Sequence, residues 1–333
     1  MNGGKIELSI LDLMPILEGR TINDTYNSSV LLARAAEAAG YKRYWVAEHH
    51  NMESIASSAP AILIGHLAGA TSTIRVGSGG IMLPNHAPLV VAEQFGTLAS
   101  LYPGRIDMGL GRAPGTDMIT AQALRRNNNG GDFDIEISQL RQYLSAENRT
   151  SRVRAIPGEG IDIPIWILGS STDSAILAAA LGMPYAFAAH FAPTHLHNAI
   201  RLYREHFRPS AHLKEPYVLT CVNVIAADTT KAAESIATSF YQLATGIISG
   251  KRKLLQPPVE NMDGLWSEYE EAAVKQMMTY SFVGDAQKVK SDLQQFINAT
   301  GADELMAVAH VYHPEDKRRS YQLLADMDLR KRA

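Results

Sequence analysis

The sequence predicts a (β/α)8 TIM barrel, and three observations carry that expectation. Short apolar runs alternate with amphipathic runs from one end of the 333 residues to the other, the pattern of a parallel sheet with right-handed helical crossovers. The short runs are apolar throughout, as strands buried on both faces are. The first of them is followed by Asp12-Leu13-Met14-Pro15, not by the glycine-rich phosphate turn that usually opens a doubly wound sheet.

Taken in order, residues 6–11 read as the first strand and 30–39 as its helix, closed by Gly40. Residues 44–47 are the second strand, and the next helix runs from near Ser58 to Ala70 with Pro60 in its first turn, where a missing N–H costs nothing. The third strand, 76–82, precedes a proline-opened helix at 88–100. The fourth, 106–110, is joined to the helix 135–145 by a long loop. The fifth and sixth units pair 165–168 with 173–181, stopped by Gly182, and 185–188 with 194–206. The seventh strand, 218–226, leads into the helix 230–249. After an irregular stretch come a helix at 285–300, the eighth strand at 305–309 and a last helix at 315–327. All of 1–333 is expected to be one barrel domain, with long insertions after strands four and seven. The segments 111–131, 149–164 and 250–266 break the regular beat; loops after barrel strands build the active face and often serve as lids, and a plain surface insertion is the other reading.

Composition narrows the function classes. Apolar residues make up 46 % of the chain, enough for a large core. A net charge of −3 gives no basic footprint for nucleic acid or membrane. Cys221 is the one cysteine, so neither an internal disulfide framework nor a multi-cysteine metal site is expected. Residues 1–13 hold a short apolar run without a basic lead, and no run approaches the roughly 20 apolar residues of a membrane span. The expected location is the cytoplasm.

Four clusters could carry chemistry. Glu48-His49-His50 follows the second strand, at the rim of a barrel's active face, and imidazole suits proton transfer near neutral pH. Adjacent side chains on extended backbone point to opposite sides, so one of the two histidines faces the centre. Metal binding is a weak reading, because the pair lacks ligand spacing. Gly77-Ser78-Gly79-Gly80 lies inside the third strand; glycine there serves either close approach of a flat ligand or tight packing at the barrel's centre. Arg112, after the fourth strand, and Gly169-Ser170-Ser171-Thr172-Asp173-Ser174, after the fifth, lie on neighbouring strand ends. A guanidinium beside a hydroxyl-rich helix N-terminus suits a phosphate, whereas Ser or Thr alone would be an ordinary N-cap.

The strings Trp45-Val46-Ala47-Glu48-His49-His50, Val76-Gly77-Ser78-Gly79-Gly80-Ile81-Met82-Leu83-Pro84 and Gly104-Arg105-Ile106-Asp107-Met108-Gly109-Leu110-Gly111-Arg112, with Ser281-Phe282-Val283-Gly284-Asp285 as a closing helix start, together resemble bacterial luciferase and its relatives. The resemblance implies a (β/α)8 barrel that takes reduced FMN and O2 and oxygenates a small organic substrate through a C4a-hydroperoxyflavin. It implies that His49 is catalytic and that Gly79–Gly80 is a non-proline cis peptide beside the flavin ring. It further implies that Arg112, Ser170, Ser171 and Ser174 hold the phosphate, that Arg125 is a second phosphate arginine, and that His190 touches flavin or substrate. A separate flavin reductase and a homodimer are also implied. Two departures matter. The light-emitting relatives carry a reactive cysteine where this chain has Gly111, and residues 250–266 differ from their mobile loop, so neither light emission nor substrate size carries over. The competing readings are a deazaflavin (F420) hydride-transfer enzyme on the same barrel, a non-catalytic flavin-binding protein, and a metal-dependent hydrolase using His49 and His50.

Overall fold

Alternation along each strand builds the barrel. The computed structural model describes residues 4–124 and 132–331. The elements are β1 (Glu7–Asp12), α1 (Ile22–Ala38), β2 (Arg43–Val46), α2 (Pro60–Ala70), β3 (Arg75–Met82), α3 (Pro88–Leu101) and β4 (Ile106–Gly111). There follow α4 (Met118–Ala123), α5 (Phe133–Leu144), β5 (Ile165–Gly169), α6 (Thr172–Leu181), β6 (Tyr185–Phe187), α7 (Leu196–His206) and β7 (Val218–Ala227). The chain ends with α8 (Thr230–Ile248), α9 (Glu268–Met277), β8 (Ser281–Asp285), α10 (Ala286–Thr300), β9 (Glu304–Val308) and α11 (Pro314–Ala325). Parallel pairing runs β1-β2-β3-β4-β5-β6-β7-β9 and returns to β1, which closes a ring of eight strands. Among the described residues, no helix is long and apolar enough to cross a membrane.

Outward-facing residues such as Ile10, Tyr44, Val46, Val76, Met108, Ile167 and Leu305 pack beneath the helices in the larger core. Their neighbours in sequence, Leu11, Trp45, Ala47, Trp166, Ala186, Leu219, Cys221, Met306 and Val308, form a second core inside the ring. Burial pushes the Cys221 thiol well above its ordinary value, so it is an inert filler of that core.

Beneath the inner core, at the N-terminal ends of the strands, lies a buried ionic layer. Arg43 reaches Asp107 at 2.6 Å and Glu304 at 2.7 Å. Arg75 also pairs with Asp107, at 2.7 Å. Glu304 accepts from the Ser9 hydroxyl and, at 2.9 Å, from Tyr217. The Arg43 guanidinium lies 4.6 Å from the centre of the Trp166 ring. Every charge in this layer has a partner, the condition under which ions can be buried.

The glycines of β3 answer to packing. A Cβ on Gly77 would sit 2.6 Å from the Asp107 Cβ, one on Gly79 2.7 Å from Leu11 Cδ1, and one on Gly80 2.7 Å from Leu168 Cδ1. Trp45 and Leu11 fill the space that side chains on β3 would otherwise occupy. The Gly79–Gly80 peptide is cis, as the resemblance implied.

The structure corrects the sequence reading in several places. Helix α1 begins at Ile22, not residue 30, because Thr21 and Asp24 form a capping box; its first two turns are too polar to show a helical stripe. Helix α4 lies inside the long loop after β4, capped by Asp117. Helix α9 follows the insertion after α8, started by the Ser267–Glu270 capping box. Ser281–Asp285, read as the start of a helix, is a ninth strand that pairs with Asn223–Ala227 beyond the closed ring; its last residue, Asp285, caps α10.

Removing one member of the ionic layer leaves an unpaired buried charge. Asp107→Asn is expected to lower the unfolding free energy by about 3–5 kcal/mol, read from urea denaturation. A loss below about 1 kcal/mol, the usual size for an exposed pair, would show that the layer does not hold the barrel.

Candidate active site

The inward register of β2 is Arg43, Trp45 and Ala47, and it continues past the strand to His49. The register of β9 is Glu304, Met306 and Val308, and it continues to His310. Both imidazoles come out at the C-terminal mouth above the inner core. His190, just past β6, joins them: its charged form is opposed by both His310 and His49. His190 and His310 are each 8 % exposed. In all three rings Nδ1 is buried without a hydrogen-bond partner among the described residues.

These histidines stay neutral at physiological pH. Burial, with Arg252 next, lowers His49 to about 4. Burial, then His310 and His49, lowers His190 to about 3. Burial and Lys317 lower His310 to about 3. A neutral imidazole carries one donor and one acceptor, so the mouth presents polar groups that bear no charge. The His310 ring stacks on Phe240 at 4.7 Å, and Asn223 Nδ2 donates to the His190 carbonyl at 2.6 Å. The sequence reading missed His310, which lies two residues beyond β9. The period-two run Glu304-Met306-Val308-His310 was the available signal.

Glu48 and His50 point the other way. The buried Glu48 carboxylate meets His50 Nε2 at 2.8 Å and His86 Nε2 at 2.9 Å, and it accepts from Asn85 Nδ2 at 3.1 Å and from the Met82 N–H at 2.9 Å. Burial raises its pKa, but His86, His50 and Met82 outweigh this and hold the carboxyl below its ordinary value. This knot ties the chain after β2 to the chain after β3. It also separates His49 from His50, so the pair does not converge as metal ligands. Among the described residues no cluster of three or more ligand side chains has metal-holding geometry.

The loop after β4 joins the same wall. The His50 N–H donates to the Gly115 carbonyl at 3.1 Å, Thr116 Oγ1 to the His50 carbonyl at 2.9 Å, and Asn85 to the Pro114 carbonyl at 3.0 Å. Arg112 opens this loop on the exposed side. On the next strand, Ser171 caps α6 through the Ser174 N–H. The Ser174 hydroxyl turns inward, donating to the Ser171 carbonyl at 2.8 Å and lying 3.0 Å from the Tyr185 hydroxyl. The half-buried Ser170 hydroxyl makes no hydrogen bond among the described residues. Arg125 lies outside the described residues.

A cavity of about 290 Å³ opens beside α1 and α11, lined by Asp12, Ser29, Lys317 and Arg318 among others. Asp12 is already engaged there by Lys317 at 2.9 Å and Ser29 at 2.6 Å. The Nδ1 atoms of the three imidazoles are by contrast among the buried polar atoms left without a hydrogen-bond partner among the described residues.

A family model described as luciferase-like monooxygenase matches residues 7–304. An uncharacterized Bacillus subtilis protein, YvbT, is 54 % identical over 96 % of both chains. An Escherichia coli protein named luciferase-like monooxygenase is 48 % identical over 98 % of both. The Bacillus subtilis N-acetyl-S-alkylcysteine monooxygenase is 33 % identical over 96 % of this chain and 98 % of its own. Among solved structures, apo-MsnO8 superposes with a TM-score of 0.86 at 34 % identity, covering 98 % of this chain and 100 % of that one. Two more distant barrels share the fold: the FMN-bound oxygenating constituent of 3,6-diketocamphane monooxygenase from Pseudomonas putida (TM-score 0.72, 16 % identity, 98 % of each chain) and an F420-dependent secondary alcohol dehydrogenase (TM-score 0.68, 15 % identity, 96 % and 98 %).

The neutral histidines make stability depend on pH. Unfolded histidine titrates near ~6.5, whereas His49 holds off protonation to about 4 and His190 and His310 to about 3. Between these values the unfolded chain binds more protons, so stability is full above about pH 6.5 and falls as pH drops, by up to about 1.4 kcal/mol per pH unit for each ring. Urea midpoints from pH 7.5 to 5 should show this slope, and His310→Gln should reduce it by one proton's worth. An unchanged slope in that variant would place His310 in solvent.

Proposed function

The chain belongs to the luciferase-like monooxygenase family, and we propose that it uses reduced FMN and O2 to oxygenate a small organic substrate. The observation that carries this reading is the ring of three uncharged imidazoles with unmet nitrogens at the barrel mouth, beside the Arg112 loop and the N-terminus of α6. When bound, the flavin supplies two electrons, so that one oxygen atom enters the substrate and the other leaves as water.

The chain's own residues bind, orient and shield. Arg112, the N–H groups at the start of α6 and the Ser170 and Ser171 hydroxyls would hold the phosphate. Ser174, committed to the Ser171 carbonyl and Tyr185, shapes that loop from behind. The Gly79–Gly80 backbone would lie against the flavin ring. His49, neutral at pH 7, offers a hydrogen bond at the reacting edge, which suits it better to orienting or passing a proton than to storing one. His190 and His310 would line the substrate side. The inner core beneath, with Trp45, Trp166 and Met306, plugs the barrel and keeps water from the floor of the site.

FMN is favoured over the deazaflavin F420 by names among the relatives above 30 % identity, which include luciferase-like and N-acetyl-S-alkylcysteine monooxygenases; the F420 enzyme shares the fold at 15 % identity. A separate reductase supplying reduced flavin, a cytoplasmic location and a homodimer belong to the same proposal.

The test is to mix the protein with reduced FMN under nitrogen, admit O2 and follow absorbance by stopped flow. A flavin–oxygen adduct that outlives the one formed in free solution supports the reading. Oxidation at the free-solution rate, or substrate turnover with reduced F420 in the absence of O2, overturns it. His49→Ala is expected to slow oxygen transfer by about 10²–10⁴-fold. Arg112→Ala is expected to weaken reduced-FMN binding by roughly 10- to 100-fold, the size of a charge-assisted hydrogen bond.

A further inference from the structure

Above His49 stands a cation that the assignments so far do not use. Arg252 belongs to the insertion after α8, and this stretch is tied down. Leu255 is fully buried, its N–H donates to the Ile16 carbonyl at 2.9 Å, and its carbonyl accepts from the Glu18 N–H at 2.9 Å. Farther along, Gln242 bonds the Pro257 carbonyl at 2.9 Å and the Val259 N–H donates to Thr238 Oγ1 at 2.8 Å. Three residues before that buried anchor, the Arg252 guanidinium lies over the chain after β2, with Nη1 3.2 Å from Met52 Sδ. A thioether is a weak acceptor, and Arg252 forms no ion pair among the described residues.

Two further observations say what this cation awaits. After burial, Arg252 acts most on the charged form of His49, with Glu48 and His50 also facing it, and Glu48 is committed to His50, His86, Asn85 and the Met82 N–H. On this side the mouth therefore presents the exposed Arg252, flanked by the exposed Lys251 and Lys253, with no carboxylate partner among the described residues. Topology then gives Arg252 different strand ends from those that carry Arg112 and α6. Arg112 and α6 follow β4 and β5, whereas Arg252 is seated on chain that follows β1 and β2. In a ring of eight, β1 lies opposite β5. Arg252 thus rests at Met52 on chain whose neighbour Asn51 bonds Asp117 and Thr120 of the loop after β4, so the phosphate of the flavin is the alternative anion that the test must separate.

We propose that Arg252 is a specificity residue that receives a carboxylate of the substrate, so that the preferred substrates are small organic acids whose oxidisable atom lies away from the carboxylate, among His49, His190 and His310. Guanidinium pairs with carboxylate through two parallel N–H donors. The assignment rests on the oxygenase reading for the meaning of "substrate", but its test does not use the oxygen reaction.

The full-length protein loaded with oxidised FMN is titrated with N-acetylmethionine and with N-acetylmethioninamide, a pair alike in shape and different in charge. Binding is followed by calorimetry and by the His49 Cε1–H resonance. The acid is expected to bind at least roughly tenfold more tightly than the amide and to move the His49 titration to higher pH, because the neighbouring positive charge is then matched. Arg252→Gln should bring acid and amide within about twofold of each other, Arg252→Lys should keep part of the preference, and FMN affinity should stay as in the parent chain. Equal affinity for acid and amide in the parent, binding of neither, or a preference that survives Arg252→Gln overturns the proposal. So does a tenfold loss of FMN affinity in Arg252→Gln, which would assign the cation to the phosphate. Failure of the stopped-flow oxygen test with this charge preference intact would count against the oxygenase reading alone.

Discussion

A full positive charge buried on the barrel axis is the constraint around which the rest is arranged. Arg43 enters the lumen at the bottom of β2 and must meet Asp107 from β4 and Glu304 from β9. Ser9 on β1 and Arg75 on β3 complete the set. Five strands thereby meet in one layer, and sliding β2, β4 or β9 would leave an ion unpaired in a medium that does not solvate it. A ring of parallel strands has no hairpin turns to fix its stagger, and this layer fixes it from inside.

Polarity then changes with height. Ions at the bottom give way to tryptophans and aliphatic residues, and these give way to imidazoles at the top. The apolar middle keeps the two polar ends independent, and it also makes the top a poor place for a charge. The histidines are consequently neutral, and they face a space in which hydrogen bonds to a guest compete little with water.

Much of this was legible in the chain. The strand–helix beat gave the barrel, and the alternation rule correctly sent His49 and His50 apart. What escaped has physical reasons. Arg43 stands at the first position of its strand, where a charged residue ordinarily reads as solvent-facing, and only the closed ring reveals its two carboxylate partners. His310 lies beyond the last hydrogen-bonded residue of β9, so the strand's apolar signal had ended. Ser281–Asp285 pairs with one neighbour at the end of β7, and its serine, glycine and aspartate resemble a helix cap more than a strand. The start of α1 depends on a capping box and not on an apolar stripe. The glycines of β3 left two readings open in the sequence; their distances to Leu11, Leu168 and Asp107 show that packing is one demand on them.

The Glu48 knot has a consequence for how such a barrel can diversify. Because one carboxylate fastens the stretches behind β2 and β3 together, and the stretch behind β4 leans on both, this wall of the mouth can move only as a block. Refitting the opening for a new guest is therefore cheapest outside that block, in the exposed residues 250–253 that rest on it at Met52 ahead of the Leu255 anchor. The mouth thus sets a stiff wall, in which a single substitution disturbs several neighbours at once, against a short exposed stretch at 250–253, where a new sequence meets few of them.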